Sequence, residues 1–134
     1  MEITITFPGG KRVDARINDV IIPTDQPIAQ GGTGLAPSPY LLFLSSIGTC
    51  AGIYVLSFCQ ERGIPTDGIS LSQRLEYIPG AEGKPVLDTI AIDIRVSPDF
   101  PEKYHKALIK VADQCAVKKT IMHPPKFAIR TIVG

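Results

Sequence analysis

A stretch of 35 consecutive residues without a charged side chain or a histidine, residues 26–60, constrains this chain more than any other feature. Elsewhere the charges are frequent and balanced, since the 134 residues include 14 Lys+Arg and 13 Asp+Glu. An uncharged stretch of this length belongs to a loop, a protein core or a membrane. The near-neutral total charge argues against a protein that coats nucleic acid, because such proteins neutralise phosphates with many basic residues.

The uncharged stretch divides into a loop and a helix. Residues 31–39 are rich in glycine and proline, which is typical of a flexible loop. Ser38 and Pro39 then form a helix start, with a serine at the cap and a proline in the first turn. The helix runs through residues 40–59 and stops near Gly63. It is apolar on all sides, so it is a core helix or a membrane span. Its serines and glycines, and the absence of a flanking Lys/Arg cluster, favour a core helix and no membrane contact.

Alternating apolar and polar residues on both sides of this helix predict antiparallel strands. Three lie before the helix and two after it: around Ile3, Ile5 and Phe7; around Val13, Ala15 and Ile17; over 20–22; over 69–77; and over 90–96. A second helix is predicted from a cap at 97–99, and a short helical piece over 116–123. Phe127, Ile129 and Thr131 predict a final strand. The expected fold is a single α+β domain over residues 1–134, with the helices packed on an antiparallel sheet.

The three cysteines, Cys50, Cys59 and Cys115, cannot all pair within one chain. The sequence does not resemble a disulfide-stapled secreted scaffold, and its first residues alternate like a strand rather than forming a signal peptide. We therefore predict a reducing, cytoplasmic location.

The spacing of the cysteines limits their pairing. Cys50 and Cys59 are nine residues apart on one helix, so they point to opposite faces and are separated by a rise of about 13 Å. They cannot form a disulfide with each other. Cys59 shares its face with Gly52 and is best explained as a packing residue. Cys50 has apolar neighbours, and an ordinary buried thiol is one interpretation of it. The other is a reactive pair, because Cys115 lies on the core-facing stripe of the second helix and packed helices could bring the two sulfurs together.

Other motifs carry no specific chemistry. The glycines at 31–34 lack the Gly-Lys-Ser/Thr ending of a phosphate loop, and the Gly-x-x-Gly at 80–83 lies between strands, unlike the clamp of an RNA-binding KH domain. His105 and His123 have no partner at metal-ligand spacing, so neither a metal nor a cofactor is predicted. The last 34 residues carry an excess of basic side chains, which a solvated helix face explains, although they could also aid docking of an acidic partner.

Two segments together resemble a known family. The run from Pro37 to Cys50, followed about 65 residues later by Val111 to Thr120, is similar to the OsmC/Ohr family of thiol-dependent peroxidases. In that family a proline opens the long helix eleven residues before the reactive cysteine, and Pro39 stands eleven before Cys50. The second cysteine lies in a Cys-Pro-Val-type motif, which residues 115–117, Cys-Ala-Val, resemble.

The resemblance implies a fold and a mechanism. Family members are intertwined homodimers with sites at the subunit interface, so we expect a homodimer. Cys50 would reduce an organic hydroperoxide and become a sulfenic acid, Cys115 would resolve it to a disulfide, and an external dithiol would reduce that disulfide. Such a protein would serve antioxidant and stress-response functions.

The chain departs from the family pattern near the start of the helix. Tyr40 and Leu41 stand where the family usually has a glutamate that holds an arginine beside the reactive thiol. A tyrosine does not hold a guanidinium by charge. Arg12 is the first candidate for the activating cation and Arg16 the second. The alternative function is a non-catalytic OsmC-like protein that binds a small apolar ligand in the interface pocket.

Overall fold

The amino-terminal strands pair as the alternation predicts. In the computed structural model, which describes all residues 1–134, they form an antiparallel sheet in chain order: β1 (Thr4–Gly9), β2 (Arg12–Ile17) and β3 (Val20–Thr24). Ile5 lies opposite Ala15, and Ala15 lies opposite Ile22. The turn between β1 and β2 uses positive φ angles at Gly9 and Gly10, which glycine adopts without a steric penalty. The predicted hairpin and third strand are confirmed.

The central helix, α1 (Pro39–Glu61), also has the predicted position. The Ser38 hydroxyl caps it by accepting a hydrogen bond from the backbone N–H of Leu41 at 3.3 Å. One stripe of the helix is buried: Leu44, Ile47, Ala51, Val55, Phe58 and Cys59. By length and composition α1 could also cross a membrane, a test that the core helix of a soluble protein passes equally. The buried stripe is what a helix packed in a protein core shows.

The second pair of strands follows α1 and forms a separate sheet: β4 (Ser70–Pro79) and β5 (Pro85–Arg95). Leu71 lies opposite Ile94, and Leu75 lies opposite Ile90, so the apolar residues of both strands share one face. The predicted antiparallel pair is confirmed. The fold is therefore α+β with two antiparallel sheets, and the chain divides into two compact units, Met1–Ser46 and Ile47–Gly134.

The second helix differs from the prediction. A turn occupies residues 97–100, a 3-10 turn spans Glu102–Tyr104, and α2 begins only at His105 (His105–Ala112). The cap predicted at 97–99 is wrong because Pro101 disfavours a helical conformation for Phe100, the residue before it. Cys115 lies beyond α2, at the amino-terminal cap of a third helix, α3 (Ala116–Met122). The expectation that Cys115 faces the core is nevertheless confirmed, since its exposed fraction is 1 %.

The final strand expected at Phe127, Ile129 and Thr131 is absent. Residues 124–134 form neither helix nor strand and are exposed. A strand is stable only when its backbone pairs with a neighbouring strand, and this segment has no backbone hydrogen bond to another part of the chain.

A small apolar core holds the second unit together. It contains side chains from α1, the turn before α2, and α2 itself: Val55, Phe58, Cys59, Phe100 and Leu108. β4 and β5 contribute Leu71 and Ile94 to its periphery. Gly48 permits a close approach of α1 to β4, since a Cβ at this position would lie 2.7 Å from Oε1 of Gln73.

A buried carboxylate organises the loop before α1 in the first unit. The Asp25 side chain accepts hydrogen bonds from the Thr33 hydroxyl, from the Thr33 N–H at 3.1 Å and from the Gln26 N–H at 2.8 Å. These bonds, chiefly that of the Thr33 hydroxyl, lower the pKa of Asp25. Gly32 lies against this turn, where any Cβ would collide with the Gln26 carbonyl oxygen. The turn therefore requires glycine at this position.

We predict that Leu108→Ala destabilises the protein by about 2–5 kcal/mol, because it removes a fully buried side chain from the core. Urea unfolding followed by circular dichroism measures the change. Lys106→Ala, an exposed site on the same helix, is the control and should change stability by less than about 0.5 kcal/mol. Equal effects of the two substitutions would contradict the assigned core.

We predict that Asp25→Asn lowers the urea midpoint at neutral pH, while Asp19→Asn, at an exposed turn, does not. Because folding lowers the pKa of Asp25 below its usual 3.8, its stabilising effect is complete above that value. The effect is lost as the pH falls through the lowered pKa. The difference between wild type and Asp25→Asn should therefore shrink in acid; a constant difference would contradict the role of the charge.

Candidate functional site

The site centres on Cys50, which lies in the middle of α1 and is partly exposed. The thiol of Cys115 and the backbone N–H groups of Val117 and Ala116 lie near its sulfur and lower its pKa. These groups come from the cap and first turn of α3. The structure therefore brings together the two cysteines that the sequence analysis paired.

Cys115 is placed by the start of α3. It adopts an extended conformation between α2 and α3, and its sulfur accepts a hydrogen bond from the Lys118 N–H at 3.3 Å. Its thiol also lies 3.8 Å from the Ile47 carbonyl oxygen of α1. The side chain is thus anchored to both helices, and the fold determines its distance from Cys50.

The pKa values of the two thiols are shifted in opposite directions. The hydrogen bond from the Val117 N–H has the largest effect on Cys50 and lowers its pKa. Burial raises this pKa, but the hydrogen bonds from the Cys115 thiol and the Ala116 N–H lower it further. Burial raises the pKa of Cys115, and the neighbouring Cys50 raises it further, although the Lys118 N–H opposes this. Cys50 is therefore the thiol that ionises first.

This arrangement suits a thiolate nucleophile with a second thiol beside it. A thiolate reacts where its pKa is lowered and where solvent and substrate reach it, and Cys50 meets both conditions. Cys115 is buried and stays protonated longer, so it would act second. Two adjacent sulfurs of this kind can exchange electrons through a disulfide without a metal ion.

Cys59 has no part in this pair. It is fully buried in the core of the second unit, and burial raises its pKa. The nearby Arg62 guanidinium donates to the Phe58 carbonyl oxygen at 3.1 Å and lies 3.7 Å from the centre of the Phe58 ring. This environment agrees with the sequence interpretation of Cys59 as a packing residue.

The arginine candidates lie in the first unit. Arg12 donates to Asp14 at 3.3 Å, and its charge contributes to lowering the pKa of Asp25. Arg16 lies opposite Thr4 and Ile21 in the first sheet. Tyr40, one of the two residues at which the resemblance implies a glutamate, is exposed and stacks on Phe43 with ring centres 6.0 Å apart. The activation of Cys50 by Arg12 or Arg16 stays a prediction.

Sequence reasoning missed the backbone amides that act on Cys50. It looked for a charged side chain, whereas the groups that lower the pKa of Cys50 are the N–H groups of Val117 and Ala116. The first N–H groups of any helix lack partners within the helix, so the start of a helix at Ala116 was the available signal. The sequence did predict a helical piece over 116–123, but its pattern placed Cys115 in the preceding helix, so nothing was drawn from the new helix start.

A cavity of about 540 Å³ is lined in part by Cys115. Its walls are mainly apolar and come from β5 and α2, together with Ile47 and Ala51 of α1. Charged groups stand among the lining residues, namely Asp93, His105, Asp113 and Lys118. Cys50 is not among them, so this cavity lies beside the second cysteine of the pair.

Solved structures with the same fold include proteins named for organic hydroperoxide resistance and for the response to osmotic stress. A protein from Psychrobacter arcticus described as an osmotic stress induced and detoxification response protein is 24 % identical, with a TM-score of 0.66 over 91 % of this chain and 88 % of that one. The organic hydroperoxide resistance protein OsmC of Legionella pneumophila is 16 % identical, with a TM-score of 0.52 over 90 % and 89 %. OhrB of Bacillus subtilis, an organic hydroperoxide resistance protein, is 18 % identical, with a TM-score of 0.50 over 90 % of each chain.

At these identities the structures show a common fold. No curated protein sequence matches the chain. The family model for OsmC-like proteins matches residues 32–130, which include α1 with Cys50, both strands of the second sheet, and α3 with Cys115 at its cap. The resemblance first seen in two segments therefore extends over most of the sequence, and the chain belongs to the OsmC-like protein family.

Proposed function

We propose that this protein is a two-cysteine thiol peroxidase that reduces organic hydroperoxides, and that it works as a cytoplasmic homodimer. The main support for this proposal is that Cys50 and Cys115 lie close together, with the pKa of Cys50 lowered and the pKa of Cys115 raised. The names of the Legionella and Bacillus structures, which refer to organic hydroperoxide resistance, agree with this substrate class.

The first step uses Cys50 as a thiolate. Its sulfur attacks one peroxide oxygen, the O–O bond breaks, and the other oxygen leaves with a proton as an alcohol. Cys50 is then a sulfenic acid, and the hydroperoxide has been reduced by two electrons. The N–H groups of Val117 and Ala116 favour this step because they hold the sulfur in its ionised form.

The second step joins the two sulfurs. Cys115 attacks the Cys50 sulfur, the S–S bond forms, and the sulfenic oxygen leaves as water. Oxidation of Cys50 also prepares Cys115, because a neutral sulfenic acid no longer raises the pKa of Cys115 by its negative charge. An external dithiol then reduces the disulfide by thiol–disulfide exchange. One peroxide thus consumes one dithiol in each cycle.

The homodimer is supported by the uncovered apolar side of α1. Three residues on the side of α1 that carries Cys50 are exposed although their side chains are largely apolar: Phe43, Ile53 and Tyr54. Contiguous exposed apolar surface of this kind marks an interaction site. A second copy covering this side would also supply an apolar environment next to Cys50, suited to the alkyl group of a hydroperoxide.

We predict that one equivalent of cumene hydroperoxide produces a disulfide between Cys50 and Cys115, identified by mass spectrometry of the digested protein. Cys59 should stay free. Persistently free thiols would contradict the peroxidase, and ligand binding without catalysis would then be the better explanation of the fold. Recovery of both thiols after addition of a dithiol completes the cycle.

We predict that Cys50→Ala abolishes peroxide turnover and that Cys59→Ala, the matched control on the same helix, retains it. Cys115→Ala should stop turnover after one equivalent and leave a sulfenic acid that dimedone traps. Equal losses in the Cys50 and Cys59 variants would contradict the assignment of the two thiols. Circular dichroism checks that each variant is folded.

We predict that Cys115→Ala raises the pKa of Cys50, because it removes a hydrogen-bond donor from the Cys50 thiolate. The pH dependence of iodoacetamide labelling at Cys50, followed peptide by peptide, measures this. The labelling curve should move to higher pH in Cys115→Ala and stay in place in Cys59→Ala. An unchanged curve in the first variant would show that the Cys115 thiol does not stabilise the charge.

A further inference from the structure

We propose that Tyr54 is a catalytic residue of the peroxidase, and that its hydroxyl donates a hydrogen bond to the oxygen that leaves when the O–O bond breaks. The inference rests on the proposed function and adds to it the group that stabilises the leaving oxygen. The two steps described above provide donors for the Cys50 sulfur but none for the departing alcohol.

Tyr54 lies one turn after Cys50 on the same side of α1. Residues four apart on a helix have Cβ atoms about 5–6 Å from each other. Long side chains on a helix are directed towards its amino-terminal end, so the Tyr54 side chain is directed towards the turn that contains Cys50. Both residues are accessible, since Cys50 is partly exposed and Tyr54 is 37 % exposed. A peroxide that reaches the Cys50 sulfur therefore also reaches the Tyr54 side chain.

Among the neighbours of Cys50 on α1, only Tyr54 has a proton donor that is not already in use. Four residues lie three or four positions from Cys50: Ser46, Ile47, Ile53 and Tyr54. The two isoleucines have no donor in their side chains. The Ser46 hydroxyl donates to the Phe43 carbonyl oxygen at 2.6 Å. No hydrogen bond within the chain uses the Tyr54 hydroxyl.

The other donors that the second unit places near the two sulfurs also have partners. The backbone N–H groups at the start of α3 and the Cys115 thiol act on the Cys50 sulfur. The Lys118 side chain forms an ion pair with Asp113. The Tyr54 hydroxyl is therefore the donor of this unit that remains for the substrate.

The position of Tyr54 suits the charge that the first step creates. The Cys50 thiolate attacks the terminal peroxide oxygen, the S–O bond forms, and the O–O bond breaks with its electron pair on the oxygen that carries the alkyl group. The terminal oxygen keeps its hydrogen, so Cys50 becomes a neutral sulfenic acid. The alkoxide takes the proton of the Tyr54 hydroxyl and leaves as an alcohol, and water returns a proton to the tyrosinate. A donor placed where negative charge develops on oxygen lowers the barrier of such a step.

The ring of Tyr54 suits the same substrate. It belongs to the exposed apolar side of α1 next to Cys50, which we propose a second copy covers. A tyrosine combines an apolar ring with a polar tip, so the ring can contact the alkyl group while the hydroxyl contacts the peroxide. Removal of water from this side would strengthen the hydrogen bond to the leaving oxygen.

The rate of the first step in Tyr54→Phe tests the role of the hydroxyl, because this variant keeps the ring and loses only the donor. The second-order rate constant for oxidation of Cys50 by cumene hydroperoxide is measured by rapid quenching and mass spectrometry. It should fall about a hundredfold, the effect of removing one donor to a developing oxyanion. Tyr77→Phe, at an exposed position of β4, is the matched control and should keep the wild-type value. An unchanged rate constant in Tyr54→Phe would overturn the proposal.

Two further reagents separate a catalytic role from a structural one. Peracetic acid releases acetate, a weak base that needs little help from a donor, so Tyr54→Phe should slow this reaction much less than that of cumene hydroperoxide. Iodoacetamide has no leaving oxygen, and its reaction with Cys50 should have the same rate and pH dependence in Tyr54→Phe and wild type. Equal slowing with all three reagents would show that the substitution disturbs Cys50 itself and would overturn the proposal.

The same measurements distinguish a failure of this inference from a failure of the proposed function. If the wild-type protein reacts with neither peroxide, the proposed function is wrong and the role of Tyr54 is wrong with it. If the wild-type protein reduces cumene hydroperoxide and Tyr54→Phe does so at the same rate, only the role of Tyr54 is wrong.

Discussion

The burial of one stripe of α1 in the second unit is the constraint on which the other features depend. Val55, Phe58 and Cys59 on this stripe pack with Leu108 of α2, and this core holds the helix in position. Because the helix is rigid, burying Cys59 turns Cys50, nine residues earlier, to the other side. There it remains partly exposed and meets the start of α3. The packing that stabilises the unit thus also determines which of the two cysteines on α1 is accessible to solvent.

Much of this architecture could be predicted from the sequence, because it depends on local patterns. The alternation around Ile5 and Ala15, the Ser38 cap and the uncharged run of α1 each specify an element without reference to distant residues. The opposite faces of Cys50 and Cys59 followed from helical geometry, whereas the reactive role of Cys50 was implied by the family resemblance. Two elements were predicted wrongly, the start of the second helix and the final strand, because a steric restriction decides the first and a tertiary partner decides the second. Phe100 precedes a proline, and the strand expected at Phe127 has no neighbour in a single chain.

The site illustrates a second limit of sequence reasoning. Side chains can be identified in a sequence, but the hydrogen-bonding groups of the backbone are present at every residue. Their effect on Cys50 depends on the chain conformation at Val117 and on the approach of α3 to α1. The departure at Tyr40 from the family pattern therefore does not leave Cys50 without stabilisation. These neutral donors lower the pKa of Cys50 without the help of a charged side chain.

The position of Cys115 at the cap of α3 has a consequence for the oxidised protein. In the reduced state the first N–H groups of α3 are divided between two sulfurs, with Val117 and Ala116 at Cys50 and Lys118 at Cys115. Sulfur accepts these bonds best when it is charged, and a disulfide carries no charge. In the proposed cycle, oxidation would therefore weaken the two bonds to Cys50, from Val117 and Ala116, at the start of this seven-residue helix. If the proposed disulfide forms, the local order of α3 would then differ between the reduced and the oxidised protein.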